Sequence, residues 1–409
     1  MLLNIRFKST YFFSFILFIL LVSCSQKGIT SVKPKKKSIK KNKIITGANQ
    51  TELYLPIIKN KNFAVVANQT SVIKNNGKNI HLVDFLKQKF PNKIKKVFAP
   101  EHGFRGNADA GEHILNGMDT KTGLPIISLY GKNKKPTNEQ IKDLDLIIFD
   151  IQDVGVRFYT YITTLHYVME ACAENKIPLI ILDRPNPNAY YIDGPVLEKE
   201  QQSFVGMHPI PTVYGMTIGE YAKMINGEKW LENNVKCKLT IIPIKNYSHQ
   251  SKYDLPIKPS PNLPNAKAIN LYPSLAFFEG TTVSCGRGTN KQFQLFGSPF
   301  LPKEKYKFSF IPKPNFGAKH PKHEGKICYG KNLENSPFIT KLNLKWLIDA
   351  YQNTTDKKTF FNSFFKKLAG TKKLQQQIID NLSEDQIRES WKSNLENFKK
   401  IRSNYLLYK

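Results

Sequence analysis

The chain has 409 residues, 41% of them apolar, with 27 Phe, 18 Tyr and only 3 Trp. That is too hydrophobic for a disordered chain and too long for one small module, so two domains are expected. Lys and Arg number 61 against 32 Asp and Glu, a net charge of +29, which favours an anionic partner without choosing one. Five cysteines (Cys24, Cys172, Cys237, Cys285, Cys328) are too few and scattered for a disulfide framework. No Cys-x-x-Cys pair occurs, which argues against structural zinc.

The first 24 residues read as an address. Arg6 and Lys8 precede an apolar run from Tyr11 to Val22, and the run closes on Leu21-Val22-Ser23-Cys24. A short basic segment, an apolar core and small residues before a cysteine describe a lipoprotein signal peptide, with Cys24 as the lipidated residue. Residues 25–45, rich in Lys and Ser with little to bury, read as a basic flexible tether. The expectation is a lipid-anchored protein of the cell envelope, periplasmic, with the membrane as partner through Cys24. Much of the basic excess then serves targeting, and nucleic acid is not expected as a partner.

From residue 46 the chain alternates between two patterns. Nearly continuous apolar runs at Phe63–Ala67, 97–99, 126–129, 146–149 and Leu179–Leu182 read as strands buried on both faces of a parallel sheet. Between them, 80–90 gathers Leu82, Val83, Phe85, Leu86 and Phe90 on one broad side. Likewise 163–174 carries Leu165, Val168, Met169 and Cys172 at helical spacing. Thr217-Ile218-Gly219-Glu220 is a capping box that opens a further helix. The alternation predicts a doubly wound α/β domain over 46–235. Residues 236–409 form the second, smaller α+β domain. Its first part holds Pro256, Pro259, Pro261 and Pro264, an ordered-wall composition. Near its end, Ser383 and Gln386 make a second capping box, with Ile387, Trp391, Leu395 and Phe398 as a packing stripe.

In open α/β sheets ligands bind beyond the carboxyl ends of the strands. Three expected strands end in acids: Glu101, Asp150 and Asp183, with Arg105, Arg157 and Arg184 close by in sequence. Carboxylates among arginines and aromatics are the equipment for cleaving a glycosidic bond, with one acid as proton donor and a second as base or nucleophile. The arginines suit a substrate that carries its own carboxylate. Each such acid can equally cap a helix or pair with a neighbouring arginine. His102, His113 and Asp109 match no recurrent metal-ligand spacing, so no metal is expected.

The sequence resembles the NamZ/YbbC family of exo-β-N-acetylmuramidases at Ala99-Pro100-Glu101-His102-Gly103-Phe104-Arg105-Gly106 with Asp109-Ala110-Gly111-Glu112. Phe149-Asp150-Ile151-Gln152-Asp153-Val154-Gly155, Arg157-Phe158-Tyr159-Thr160-Tyr161 and Leu182-Asp183-Arg184-Pro185-Asn186-Pro187 resemble it too. So do Pro259-Ser260-Pro261-Asn262, Phe278-Glu279-Gly280-Thr281 and Gly286-Arg287-Gly288-Thr289, and the likeness spans about residues 50–409. It implies a Rossmann-like catalytic domain, a smaller domain closing the cleft, and no cofactor. The implied activity is removal of non-reducing terminal β-1,4-linked N-acetylmuramic acid from peptidoglycan fragments.

Carried residue by residue, the resemblance puts catalysis on Glu101, Asp150, Asp153 and His102. It puts substrate binding on Arg105, Glu112, Arg157, Tyr159, Asp183, Arg184, Asn186, Asn262, Glu279 and Arg287, with Arg105 or Arg157 first for the lactyl carboxylate. Where many relatives have a glutamate two residues before the arginine of the Gly-Arg-Gly motif, this chain has Cys285. The alternatives are a non-catalytic peptidoglycan-binding envelope lipoprotein and a metal-dependent amidase or deacetylase.

Overall fold

The computed structural model describes residues 42–106, 112 and 116–409. Its first strand, β1 (Phe63–Ala67), shows why the apolar runs are continuous: all five residues are buried. Ala64 and Val66 face the layer that holds Leu165, Val168 and Met169. Phe63, Val65 and Ala67 face the opposite layer, with Leu82, Val83 and Leu86. A strand covered by helices on both faces has no polar side to alternate with. Each of the Phe and Val side chains of β1 contributes roughly 1.5–3 kcal/mol by burial, and the two alanines less.

A hairpin, β2 (Val72–Asn75) and β3 (Lys78–His81), follows. Then come β4 (Ile94–Ala99), β5 (Gly117–Met118), β6 (Pro125–Ser128), β7 (Leu146–Asp150), β8 (Leu179–Leu182) and β9 (Leu239–Ile242). One sheet runs β5-β6-β4-β1-β7-β8-β9, parallel throughout except for the edge strand β5. β1 therefore sits at the centre, with its register passing from Val66–Phe98 on one side to Val66–Phe149 on the other. This is a doubly wound Rossmann-like sheet, and its crevice for ligands lies beyond the carboxyl ends.

The helices are α1 (Thr51–Ile58), α2 (Leu82–Lys89), α3 (Asn138–Ile141), α4 (Tyr161–Glu174), α5 (Ile218–Gly227) and α6 (Ala266–Leu275). The helix expected from residue 80 starts at Leu82, because 78–81 is a hairpin strand and the His81 side chain accepts from Val83 N at 3.2 Å as its cap. The capping box at Thr217 and Glu220 forms as expected.

The later part of the chain builds a small antiparallel sheet, β10 (Leu295–Ser298), β11 (Phe308–Phe310) and β12 (Cys328–Asn332), in the order β10-β12-β11. Five helices close the chain: α7 (Lys345–Asn353), α8 (Phe364–Ala369), α9 (Lys373–Ile379), α10 (Glu384–Glu389) and α11 (Lys392–Ser403). The stripe of Ile387, Trp391, Leu395 and Phe398 is buried, but two helices carry it. Ser390 Oγ donates to Ile387 O at 2.6 Å, a local bond that competes with continued helix.

The parallel sheet takes its last strand, β9, from 239–242, beyond the expected division at 235/236. That run is four residues long and mostly half-exposed, a weak signal in sequence. Residues Lys43–Lys409 cluster as one compact unit. Ile45 pairs with Lys245 and the Lys43 carbonyl accepts from Asn246 Nδ2 at 2.9 Å, so the expected tether joins the body before residue 46. The signal peptide, Cys24 and most of the tether lie outside the described residues. Among the described residues no helix is long and apolar enough to cross a membrane.

Candidate active site

Strand β4 ends at Ala99, and the turn that follows positions Glu101. Gly103 N closes on Pro100 O at 3.0 Å, and His102 is held at φ +70°, a left-handed conformation rare for a residue with a Cβ. Such strain persists where surrounding contacts over-determine it, and it concentrates at functional sites. The half-buried Glu101 carboxylate accepts from Thr160 Oγ1 at 2.6 Å, and Thr160 stands at the N-cap position of α4, after β7, without a side-chain capping bond. The Tyr130 hydroxyl, after β6, is raised well above its ordinary pKa by burial and by the neighbouring Glu101 charge. Segments that follow three strands of the sheet, β4, β6 and β7, thus converge on one carboxylate.

Glu101 and His102 line a cavity of about 490 Å³. Its other walls come from the later part of the chain: Ser260, Asn262, Tyr272, Glu279, Arg287, Phe293, His320 and Lys322. Glu279 sits in a single 3-10 turn after α6 and meets Arg287, whose Nη2 lies 2.7 Å from its carboxylate and whose Nε lies 2.8 Å away. Gly286 (φ +83°) and Gly288 (φ +79°) flank the arginine, and a Cβ on either would come within 3 Å of a backbone carbonyl. Only glycine at both places lets the turn present Arg287 to the cavity. Burial works against the guanidinium charge, but the Glu279 carboxylate offsets it and holds Arg287 above its ordinary range. Burial lowers Lys322, whose ammonium is bound by the carbonyls of Phe278 (3.0 Å), Thr281 and Val283 (3.1 Å). Aromatic rings of Phe158, Tyr159, Phe204, Tyr272 and Phe293 supply the apolar walls.

Two family models match the chain, both described as exo-beta-N-acetylmuramidase NamZ: the N-terminal one over residues 63–267 and the C-terminal one over 270–408. The chain belongs to the NamZ family. It is 38% identical, over 97% of its own length and 99% of the relative's, to the peptidoglycan beta-N-acetylmuramidase NamZ of Bacillus subtilis (strain 168). Two crystal structures of DUF1343 family proteins from Bacteroides fragilis NCTC 9343 share its architecture. One has a TM-score of 0.82 at 46% identity and the other 0.76 at 28%, each covering 90% of this chain and 99% of the other.

Of the NamZ-motif residues expected at the site, Glu101, His102, Tyr159, Asn262, Glu279 and Arg287 are together around the cavity. The others are elsewhere, and each has a structural occupation. Asp150 is fully buried and forms a bidentate pair with Arg184, at 2.6 Å to Nε and 2.9 Å to Nη2. Asp183, equally buried, accepts from Thr217 Oγ1 (2.7 Å), Gly219 N (2.9 Å) and Tyr408 Oη (2.6 Å), which fastens the start of α5 and the C-terminus to the sheet. Asp153 accepts from Gly155 N at 2.6 Å and from Tyr214 Oη. Burial pushes its carboxyl up to about 6, and that of Asp183 likewise.

Arg157 has no exposed surface and donates to four carbonyls, those of Pro195 (2.6 Å), Ile210 (2.9 Å), Leu368 (2.9 Å) and Ala369 (2.8 Å). Its guanidinium staples two distant segments and is not offered to a ligand. Arg105 turns away to Asp84 (2.8 Å) and Asp119 (2.7 Å) beside a different pocket. Asn186 donates to Met216 O at 2.8 Å and accepts from Asn188 N at 2.8 Å. Glu112 pairs with Lys319 at 2.7 Å. Asp109 and His113 lie outside the described residues. Cys285 is buried behind the wall, its thiol pushed up to about 12 by burial.

The sequence reasoning missed Tyr130, Thr160, Tyr272, Phe293, His320 and Lys322 as site residues. Two of them carried a signal. Tyr130 follows the strand end of β6 just as Glu101 follows β4, but an eye for acids alone passes over it. Thr160 lies within the Arg157-Phe158-Tyr159-Thr160-Tyr161 motif, next to Tyr159.

Proposed function

We infer that the chain is an exo-acting glycoside hydrolase that removes non-reducing terminal β-1,4-linked N-acetylmuramic acid from peptidoglycan fragments. Family membership along nearly the whole chain supports this reading. The observation that carries it in the structure is the cavity: among the described carboxylates only Glu101 and Glu279 line it, amid aromatic walls, and its volume is ordinary for a small-molecule site.

Glycoside cleavage needs one carboxyl to protonate the leaving oxygen and a second to stabilise the oxocarbenium-like transition state or direct the nucleophile. Glu101 takes the first role, aligned by Thr160 and Tyr130. Glu279 takes the second, replacing Asp150 and Asp153, which have no surface on the cavity. His102 stands beside Glu101 in the cavity wall. Two donors of Arg287 go to Glu279, and its remaining N–H groups suit the lactyl carboxylate, the place first assigned to Arg105 or Arg157. The aromatic rings offer faces to the pyranose.

The envelope address belongs to the same proposal. Leu21-Val22-Ser23-Cys24 supports lipidation at Cys24, with the body held near the wall polymer in the periplasm. Cys24→Ser would then appear in the soluble fraction, whereas retention in the membrane fraction contradicts the anchor. The activity is tested with a chromogenic β-N-acetylmuramide beside its N-acetylglucosaminide counterpart. Release from the muramide alone is expected; release from neither contradicts the reading.

A further inference from the structure

Phe204 lines two hollows at once: the cavity that holds Glu101, and a second one of about 530 Å³ beside it. It stands with Val205 at the tip of a tight turn. Ser203 N donates to Gly206 O at 2.9 Å, and Gly206 N donates to Ser203 O at 3.0 Å. Gln202 Nε2 closes the base of the turn on Met207 O at 2.6 Å. The tip is therefore held in place, yet the Phe204 ring is only half-buried.

Aromatic rings connect Glu101 with the second hollow. Tyr130, the neighbour of the Glu101 carboxylate, meets Phe204 edge-on with ring centroids 5.6 Å apart. Tyr167 stacks on Phe204 at 6.5 Å, and the Lys134 ammonium lies over the Phe204 face, 5.1 Å from its centroid. The same hollow holds Trp230, stacked on His208 at 4.4 Å. His208 is fixed in turn, with Tyr221 Oη 2.7 Å from its Nδ1 and His166 Nδ1 3.0 Å from its Nε2, so the indole rests on a rigid support. Tyr130, Phe204, Tyr167 and Trp230 all keep part of their surface open. Apolar ring surface left in water is unfavourable until a partner covers it.

We propose that the second hollow holds the leaving part of a longer glycan, with Phe204 under the sugar released beside Glu101 and Trp230 under the sugars beyond it. The assignment rests on the muramidase reading above and names its preferred substrate class, fragments longer than a disaccharide. Pyranose rings present apolar C–H faces while their hydroxyls stay in water, so a row of half-open aromatic rings suits an extended glycan. Glu101, as the acid, faces the leaving oxygen, and Tyr130 ties that side of the cavity to Phe204. Glu279 and Arg287 remain with the terminal sugar. Lys134 adds a cation for the lactyl carboxylate that the next muramoyl residue brings. Contacts made far from the scissile bond then raise kcat/KM for long substrates only.

The test gives the full chain two substrates that differ only in length on the leaving side: the disaccharide N-acetylmuramyl-N-acetylglucosamine and the tetrasaccharide that repeats it. The initial rate of N-acetylmuramic acid release is read. Wild type is expected to show a kcat/KM about tenfold higher on the tetrasaccharide, the contribution of one covered aromatic face. Trp230→Ala should bring the two substrates to within about twofold of each other. That ratio is taken within one preparation, so a partly unfolded sample does not alter it. Should the variant not fold at all, wild type still decides through its own product. The trisaccharide left after one release should inhibit turnover of the chromogenic muramide about tenfold more strongly than N-acetylglucosamine does. Equal turnover of both substrates by wild type, a trisaccharide no stronger than the single sugar, or an undiminished preference in Trp230→Ala overturns the second-hollow assignment and leaves the muramidase reading intact. A wild type that releases N-acetylmuramic acid from neither substrate overturns both.

Discussion

Two sets of carboxylates and arginines lie at the carboxyl edge of the same sheet, and they differ in one physical respect. In the first set, Asp150, Asp153, Asp183, Arg157 and Arg184 are all at or below 4% exposure and bonded within the protein, with Asp153 Oδ1 and Arg157 Nε the atoms left without a partner among the described residues. In the second, Glu101, Glu279 and Arg287 line a cavity and keep surface open to it. Both sets sit in the motifs that make the chain recognisable. The comparison teaches that a motif rich in charge can exist for folding, and that surface open to a cavity separates chemistry from architecture.

The comparison is broken most severely by exchanging the expected consequences of the two sets. Glu101→Gln should lower kcat on the muramide by about 10²–10⁴, the range of a lost general acid, while leaving the melting temperature nearly unchanged. Asp150→Ala should do the converse. Removing one partner of a buried ion pair costs about 3–5 kcal/mol, and the folded fraction should retain turnover within a few fold. Chemical denaturation and active-site titration of one preparation separate the two effects.

A pH experiment sharpens the same contrast on Asp153. Its folded pKa is about 6 against an ordinary 3.8, so the native state prefers the protonated acid. The folded state therefore carries no penalty from this group below about pH 4, and it loses stability as pH rises toward 6. The difference amounts to roughly 3 kcal/mol at about 1.4 kcal/mol per pK unit. Asp153→Asn, which preserves an acceptor for Gly155 N and Tyr214 Oη, should erase that slope relative to wild type. A parallel pH dependence in both proteins would show that Asp153 is ionised in the fold throughout.

Smaller effects are expected at the edge of the site. Thr160→Val removes one short hydrogen bond to Glu101 and should lower kcat about tenfold, with little change in KM. Cys285→Ser should change kcat/KM less than about twofold, since a buried, protonated thiol behind the wall touches no substrate. A large loss there would place position 285 in the reaction after all.

The sheet was legible in the sequence because burial on both faces writes itself as unbroken apolar runs, which is how Phe63–Ala67 and Leu179–Leu182 come out with their boundaries intact. β9 was not, because a short half-exposed strand looks like the loop around it. At the site, Glu101 followed from a strand-end rule, and Asn262, Glu279 and Arg287 from motif resemblance. The expected residues that lie away from the cavity have a common reason for it. Sequence shows that Arg157 is an arginine in a motif, but four carbonyls brought from residues 195, 210, 368 and 369 decide what it does, and those meet only in the fold. Lys322 and His320 reach the cavity by the same long-range route, with no local pattern to announce them.

The most direct measurement is turnover of the chromogenic muramide by Glu101→Gln and Asp153→Asn side by side, each normalised to its folded fraction at pH 7. The account predicts that Asp153→Asn retains turnover within a few fold and that Glu101→Gln loses it. Normal turnover in Glu101→Gln, with catalysis abolished in a folded Asp153→Asn, would contradict the division between the two sets of carboxylates.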